Sequence, residues 1–409
     1  MINRACTGAV AIKPEATWRL AAFLASLAML GPFSVDAYLP AFPALANDFS
    51  VSPVHVQQTL TAYFVPFAVM NLLHGSLSDA LGRRPALLVS LFIFTASSMG
   101  CALASNFEAL LVFRFLQGAS AGAGVIAMYA VTRDCFEGPA VQRMVAHSTL
   151  TYNIAPATAP VLGGLVLAAF GWRFIFALLG VLGLVLLFVA RRHLPETLPL
   201  ERRQPLTPAA LLTNYRRVLS DRSGHLLTGA LAFSFAGGFL YIASSSAFLT
   251  NHLGVSATGF GWLFFPLVGG SMLGAFVAAK RAEHSPVATI RLGYSIMTAS
   301  AASNVVVCVL APPSLPLYVT PLCIYAIGQA IAAPVLKILI LDQFPSLMGT
   351  AAAVRGSAQL LLLAVVAGII APLVSFSALG LGLAMLAMLL ASHLCWTRFQ
   401  SSQVRGILG

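Results

Sequence analysis

Apolar residues along this 409-residue chain gather into twelve stretches of about 20, separated by short polar or charged breaks. They run 18–42, 55–78, 86–105, 108–132, 144–168, 172–192, 224–249, 257–279, 288–311, 315–339, 348–373 and 376–396. About 20 residues is the helix length that crosses a hydrocarbon core about 30 Å thick. Barrel strands alternate over about 10 residues and do not make such runs. The pattern predicts an all-α integral membrane protein with twelve transmembrane helices. Most connections are too short to hold a domain. The exception is 193–223, polar and Pro-rich, which divides the chain into two six-helix bundles, 1–192 and 224–409, joined by a cytoplasmic linker. Within it, 207–220 is predicted as a short helix on the membrane surface.

Composition agrees with the pattern. Hydrophobic residues make up 59% of the chain and charged residues 9%, against about 25% charged in soluble domains. The net charge of +11 does not point to nucleic acid, because basic residues stand singly or in pairs at the ends of apolar runs. That is where topology signals sit. With the N-terminus inside, twenty of the 23 Lys and Arg fall on the inner side and Arg173 alone on the outer. The positive-inside rule then makes both termini cytoplasmic. Residues 1–18 lack an apolar core and are read as a cytosolic tail rather than a signal peptide. The six cysteines are scattered without a CxxC pair, so they imply neither a disulfide framework nor a metal site.

Two charged residues fall deep inside spans. Asp36 is 17 residues from Arg19, about 25 Å along a helix from the inner side. Arg114 is 19 residues from Arg133, about 28 Å from the same side in a span of opposite direction. An intramembrane ionisable group marks a functional site by default. A carboxyl group out of water favours its neutral form, and a nearby guanidinium favours the charged form. An acid held between those pulls can change charge with whatever enters the cavity, so Asp36 and Arg114 are the proton-coupling candidates. A fixed structural pair is the alternative. Arg355 and Lys337 are within snorkelling reach of the inner side. Polar or aromatic mid-span residues supply cavity candidates: Tyr38, Asn71, Gln117, Tyr152 and Asn153 in the first half, and Phe235, Tyr241, Phe265, Tyr325 and Gln329 in the second. Many of them read equally as core.

The loop GSLSDALGRRP (75–85) carries more than a topology anchor needs. Gly82 suits a turn and Pro85 a helix start, and Asp79 stands where it can pair with a basic residue across the inner side. The spacing of Gly75, Asp79, Gly82, Arg83 and Arg84 resembles the loop signature of the major facilitator superfamily, in which this loop latches the inward side closed. RFLQGASAG (114–122) resembles the R-x-x-Q-G motif of the superfamily's proton-driven antiporters. APATAPVLGG (155–164) is similar to their fifth-helix motif, with Pro156, Pro160, Gly163 and Gly164 in place and Ala159 where that motif has glycine. SVDAYLPAFP (34–43) and LPETLP (194–199) are similar to the bicyclomycin/chloramphenicol-resistance (Bcr/CflA) exporters. In the second half, KRAEHSP (280–286) is a degenerate counterpart of the latch loop.

Enzyme signatures are missing from the sequence. Gly118, Ser120 and Gly122 fit G-x-S-x-G, but a nucleophile elbow needs a strand–turn–helix corner, whereas two glycines four apart in an apolar helix make a packing face. No phosphate-binding loop precedes any lysine, and no His-Glu pair occurs. The resemblance therefore implies a non-enzymatic, monomeric, multi-pass carrier of the bacterial inner membrane. It would use the proton gradient, with no cofactor or metal, to export small amphipathic or apolar drugs of the phenicol or bicyclomycin type. Its partners would be that substrate, protons and the lipid bilayer. A proton-coupled exporter or importer of a sugar, amino acid or siderophore on the same fold remains the alternative, and a membrane-embedded enzyme or receptor the second.

Overall fold

The computed structural model describes residues 14–138, 140–141, 143–144, 148, 154–345 and 347–408. Among these, every regular element is helical. In chain order they are α1 (Pro14–Asp36), α2 (Phe42–Asp48), α3 (Pro53–Leu81), α4 (Arg83–Ala102), α5 (Phe107–Ala121), α6 (Ala123–Cys135), α7 (Ala155–Phe170) and α8 (Trp172–His193). The linker forms α9 (Pro208–Leu219). Then follow α10 (Arg222–Ala243), α11 (Gly261–Lys280), α12 (Pro286–Leu310), α13 (Leu315–Asp342), α14 (Met348–Val365), α15 (Ala371–Val374) and α16 (Ala378–Leu408).

Eleven helical stretches among the described residues are long and apolar enough to cross a membrane, and α7 is a shorter apolar helix. The predicted span 144–168 begins in a stretch of which only 144, 148 and the residues from 154 onward are described. Where a predicted span is longer than its helix, a local cause is visible. Pro40 lies in the 3₁₀ turn Leu39–Ala41, between α1 and α2. Gly122 separates α5 from α6. Ser244–Ser246 lead from α10 into a π-helical turn, Ala247–His252.

The chain divides into two compact units, Met1–Val51 with Ala62–Pro208, and Ser52–Thr61 with Ala209–Gly409. In the first, α1 packs on α6 and α7, and α4 packs on α5 and α8. In the second, α13 packs on α11 and α12, and α10 on α16. Burial is arranged for an apolar solvent: Leu20, Leu24 and Leu27 are inside, while Phe92, Leu103 and Phe188 stand exposed on the outside. Lipid tails are as apolar as leucine, so helices associate through close packing rather than hydrophobic exclusion. Glycines make that approach possible. A Cβ on Gly124 would strike the Leu27 carbonyl, and one on Gly274 the Ile327 carbonyl. Gly293 and Gly328 face each other across α12 and α13.

Neighbouring glycines in α11 separate this constraint from helix propensity. A Cβ on Gly270 would lie 2.5 Å from the Cys323 carbonyl oxygen, whereas one on Gly269 has nothing within 4 Å. Gly270→Ala is expected to cost about 1–3 kcal/mol and to lower Tm in detergent. Gly269→Ala, which improves helix propensity, should leave Tm unchanged or raise it.

Candidate functional site

Arg114 projects from α5 into the interior of the first unit and is fully buried, at 0% exposure. A charge in that position requires partners, and four other helices take part in supplying them. Its Nη1 donates to the Ser34 carbonyl of α1 at 3.1 Å and to Gln117 Oε1 on its own helix. Gln117 Nε2 passes the network on to Ser98 Oγ of α4 at 2.8 Å. The guanidinium lies over three rings: Tyr38 just past α1 at 4.3 Å, Tyr63 of α3 at 4.5 Å and Phe176 of α8 at 5.9 Å. Such contacts are worth most when desolvated. The Ser34 and Tyr63 hydroxyls meet at 2.8 Å, and both reach the Gly31 carbonyl, at 2.8 and 3.0 Å.

Asp36 is the last residue of α1, two positions beyond Ser34, and is 6% exposed. The depth reading thus brings Arg114 to the right segment of α1. The ion pair suggested by that depth is not formed: among the described residues, no basic side chain lies within 4 Å of the Asp36 carboxylate. The guanidinium is directed instead to the Ser34 carbonyl, Gln117 and the rings. The carboxyl is left at a helix C-terminus, where carbonyl dipoles oppose a negative charge.

Motif glycines pack around this segment. A Cβ on Gly163 of α7 would strike the Ala37 carbonyl, immediately after Asp36, and one on Gly118 would strike the Tyr63 carbonyl. Pro160 and Gly164 are buried in the same helix, and Pro156 is half-buried.

The loop after α3 forms a second cluster in this unit. Asp79 pairs with Arg83, four residues on, rather than with a residue across the inner side. Arg83 Nε also reaches Asp134 Oδ2 at 3.2 Å, and Thr197 donates to the same oxygen at 2.7 Å. Gly82 has φ +103°, a backbone conformation open to glycine. Glu196 Oε1 accepts from the Arg83 N–H at 2.9 Å and Oε2 from the Arg84 N–H at 3.3 Å, capping the start of α4. Arg203 lies 3.6 Å from that carboxylate, the Gln204 N–H donates to the Asp79 carbonyl at 3.2 Å, and Arg84 donates to the Arg191 carbonyl at 2.8 Å. Nothing lies within 4 Å of a Cβ on Gly75.

The cavity candidates separate. Tyr38 and Gln117 converge on Arg114. Asn71, Phe235 and Gln329 are half-buried in their helices. Tyr241 and Tyr325 are buried at 1% and 2% exposure: Asn304 donates to the Tyr241 hydroxyl at 2.6 Å, and Tyr325 donates to the Ser234 carbonyl at 2.8 Å. Both hydroxyls are tied within the second unit. Phe265 is 55% exposed. Tyr152 and Asn153 lie outside the described residues. Arg355 is buried and holds the start of α10, donating to the Gly224 carbonyl at 2.7 Å and to Thr228 Oγ1 at 2.9 Å.

The sequence reading missed Ser34, Tyr63, Ser98, Asp134, Phe176, Glu196 and Thr197. Ser34 had a signal inside SVDAYLPAFP, as did Glu196 and Thr197 inside LPETLP. An aromatic residue in an apolar span carries none.

The Major Facilitator Superfamily family model matches residues 23–372. The chain is 39% identical over 249 residues to an uncharacterized MFS-type transporter, YdgK, of Bacillus subtilis strain 168, covering 60% of this chain and 61% of that protein. It is 31% identical to a bicyclomycin resistance protein homolog of Haemophilus influenzae, covering 59% and 61%. A chloramphenicol resistance protein of Pseudomonas aeruginosa is 30% identical over 352 residues, with 83% and 81% covered. The matches thus span about three fifths of the length of the first two relatives. Among solved structures, a D-xylose-proton symporter superposes with a TM-score of 0.71 at 16% identity, covering 92% of this chain and 97% of the other. That likeness is one of fold.

Two substitutions test the clusters. Gln117→Leu removes an acceptor from the buried guanidinium at little change in volume and is expected to cost about 1–3 kcal/mol, read as a lower Tm in detergent. Glu196→Ala removes the cap of α4 and should cost about 0.5–2 kcal/mol.

Proposed function

The chain belongs to the Major Facilitator Superfamily, and from that premise we propose that it is a proton-coupled exporter of small amphipathic or apolar drugs, phenicol- and bicyclomycin-type antibiotics among them. It is a multi-pass membrane protein. The reading places it in the bacterial inner membrane as a monomer with both termini in the cytoplasm, the orientation favoured by the distribution of Lys and Arg. The substrate class is supported by the relatives named for chloramphenicol and bicyclomycin resistance.

The observation that carries the coupling proposal is the Asp36 carboxyl, buried at the end of α1 without a basic neighbour among the described residues. A group so placed is costly as a lone anion and gains by taking up a proton or by meeting a polar or cationic substrate group. Proton entry from outside neutralises Asp36 and releases substrate outward. Loss of that proton toward the cytoplasm restores the charge for the next cycle. Arg114 acts through position: by holding the Ser34 carbonyl, it fixes the segment of α1 that presents Asp36. Alternating access then opens the Asp36 region to one side of the membrane and the other in turn, with the loop around Asp79, Arg83 and Arg84 controlling inward closure.

Proteoliposomes with an imposed pH gradient test the cycle. Wild type should accumulate labelled chloramphenicol against its gradient. Asp36→Asn is expected to lose gradient-driven accumulation while still binding the drug, and Asp36→Glu to retain part of it. Full pH-driven accumulation by Asp36→Asn would refute the coupling role.

A further inference from the structure

A groove of about 670 Å³ runs between α12 and α16 on the outside of the second unit. Its base is well tied: the Tyr294 hydroxyl meets Ser392 Oγ at 2.6 Å, Ser392 donates to the Ala230 carbonyl of α10 at 2.6 Å, and the His393 ring stands edge-on to Tyr294 at 5.2 Å. These contacts hold the two helices together on one side and leave the groove open on the other. The lining is graded along its length. Arg291, Thr397 and Gln400 lie at one end with the Trp396 ring, and Ser295 and His393 come next. Ala299, Leu386 and Leu390 line the other end. From Arg291 to Ala299 is eight residues, about 12 Å of helix. Arg291, Ser295, Ala299, Leu390 and His393 are exposed, and none of the twelve Asp and Glu of the chain is in the lining.

One basic end, hydroxyl and amide groups beside it, an indole at the boundary and an apolar floor beyond match a single amphipathic molecule. We propose that this groove is a binding site for a phospholipid with an anionic headgroup. Its phosphate lies against Arg291, Thr397 and Gln400, and an acyl chain lies along Ala299, Leu386 and Leu390. The basic end is where α12 begins and α16 finishes, so the lipid comes from the inner leaflet, given the orientation read from the charge distribution. Anionic lipid enriches that leaflet, and basic side chains near its surface gain from it. The Trp396 ring, 3% exposed and stacked on Phe399, walls the groove at that end. The groove shares no residue with the cluster around Arg114 and Asp36.

Lipid retention by the purified full-length protein, measured by native mass spectrometry after exchange into phosphatidylglycerol or phosphatidylcholine, tests the site. Wild type is expected to retain phosphatidylglycerol preferentially. Arg291→Gln should reduce that retention about fivefold, and Arg291→Lys should keep most of it. Ala299→Trp, at an exposed position, should block the acyl end and lower retention of both lipids, with Tm confirming that each variant is folded. Arg192→Gln, an exposed basic side chain outside the groove, should change nothing. Equal retention by wild type and Arg291→Gln would overturn the proposal, as would an equal loss in Arg192→Gln. Displacement by inorganic phosphate or glycerol 3-phosphate would also overturn it, since the groove would then be a simple anion site.

Discussion

A guanidinium that cannot reach water organises the first unit. Arg114 is fully buried, and the cost of a lone charge there exceeds what any single contact returns. The chain distributes the compensation over the Ser34 carbonyl, Gln117, three aromatic rings and, one step out, Ser98. Those groups come from α1 and the turn after it, α3, α4, α8 and α5 itself. The packing angles of α1, α3, α4 and α8 are therefore constrained by one side chain. This is why the motif glycines matter: Gly118 and Gly163 let backbones come close enough for the ring of partners to close.

The same arrangement leaves Arg114 and Asp36 in different surroundings. The guanidinium is held by a carbonyl, an amide and aromatic faces. The Asp36 carboxyl is buried, with no basic side chain within 4 Å among the described residues. Two opposite charges brought to one segment of a bundle need not pair.

The spans were legible because hydropathy is read along one dimension, and the hydrocarbon core sets their length. Breaks at Pro40 and Gly122 shift the ends by a few residues without altering the count of crossings. Depth is also one-dimensional, which is why Arg114 was brought to the segment of Asp36. Which atoms meet depends on rotation about each helix axis, and residue counting does not report rotation. Hence Ser34, rather than Asp36, receives the guanidinium. Tyr63 and Phe176 were invisible for a related reason: an aromatic ring beside a cation and one in ordinary packing look alike in an apolar run. The hydroxyl partners of Tyr241 and Tyr325, Asn304 and the Ser234 carbonyl, were likewise not legible from mid-span position.

Glu196 closes the start of α4 from a point 113 residues beyond Arg83. That separation has a temporal meaning. At roughly 5–20 residues per second, synthesis takes roughly 6–23 seconds to pass from one to the other. During that interval the loop after α3 exists without its cap, with the Arg83 and Arg84 backbone N–H groups not yet met by the Glu196 carboxylate. The first bundle is therefore not completed when its sixth helix is inserted. It is completed when the polar segment behind that helix has left the ribosome and folded back. A nascent chain halted at residue 193 would carry every apolar helix of the bundle and lack the carboxylate that fastens its loop.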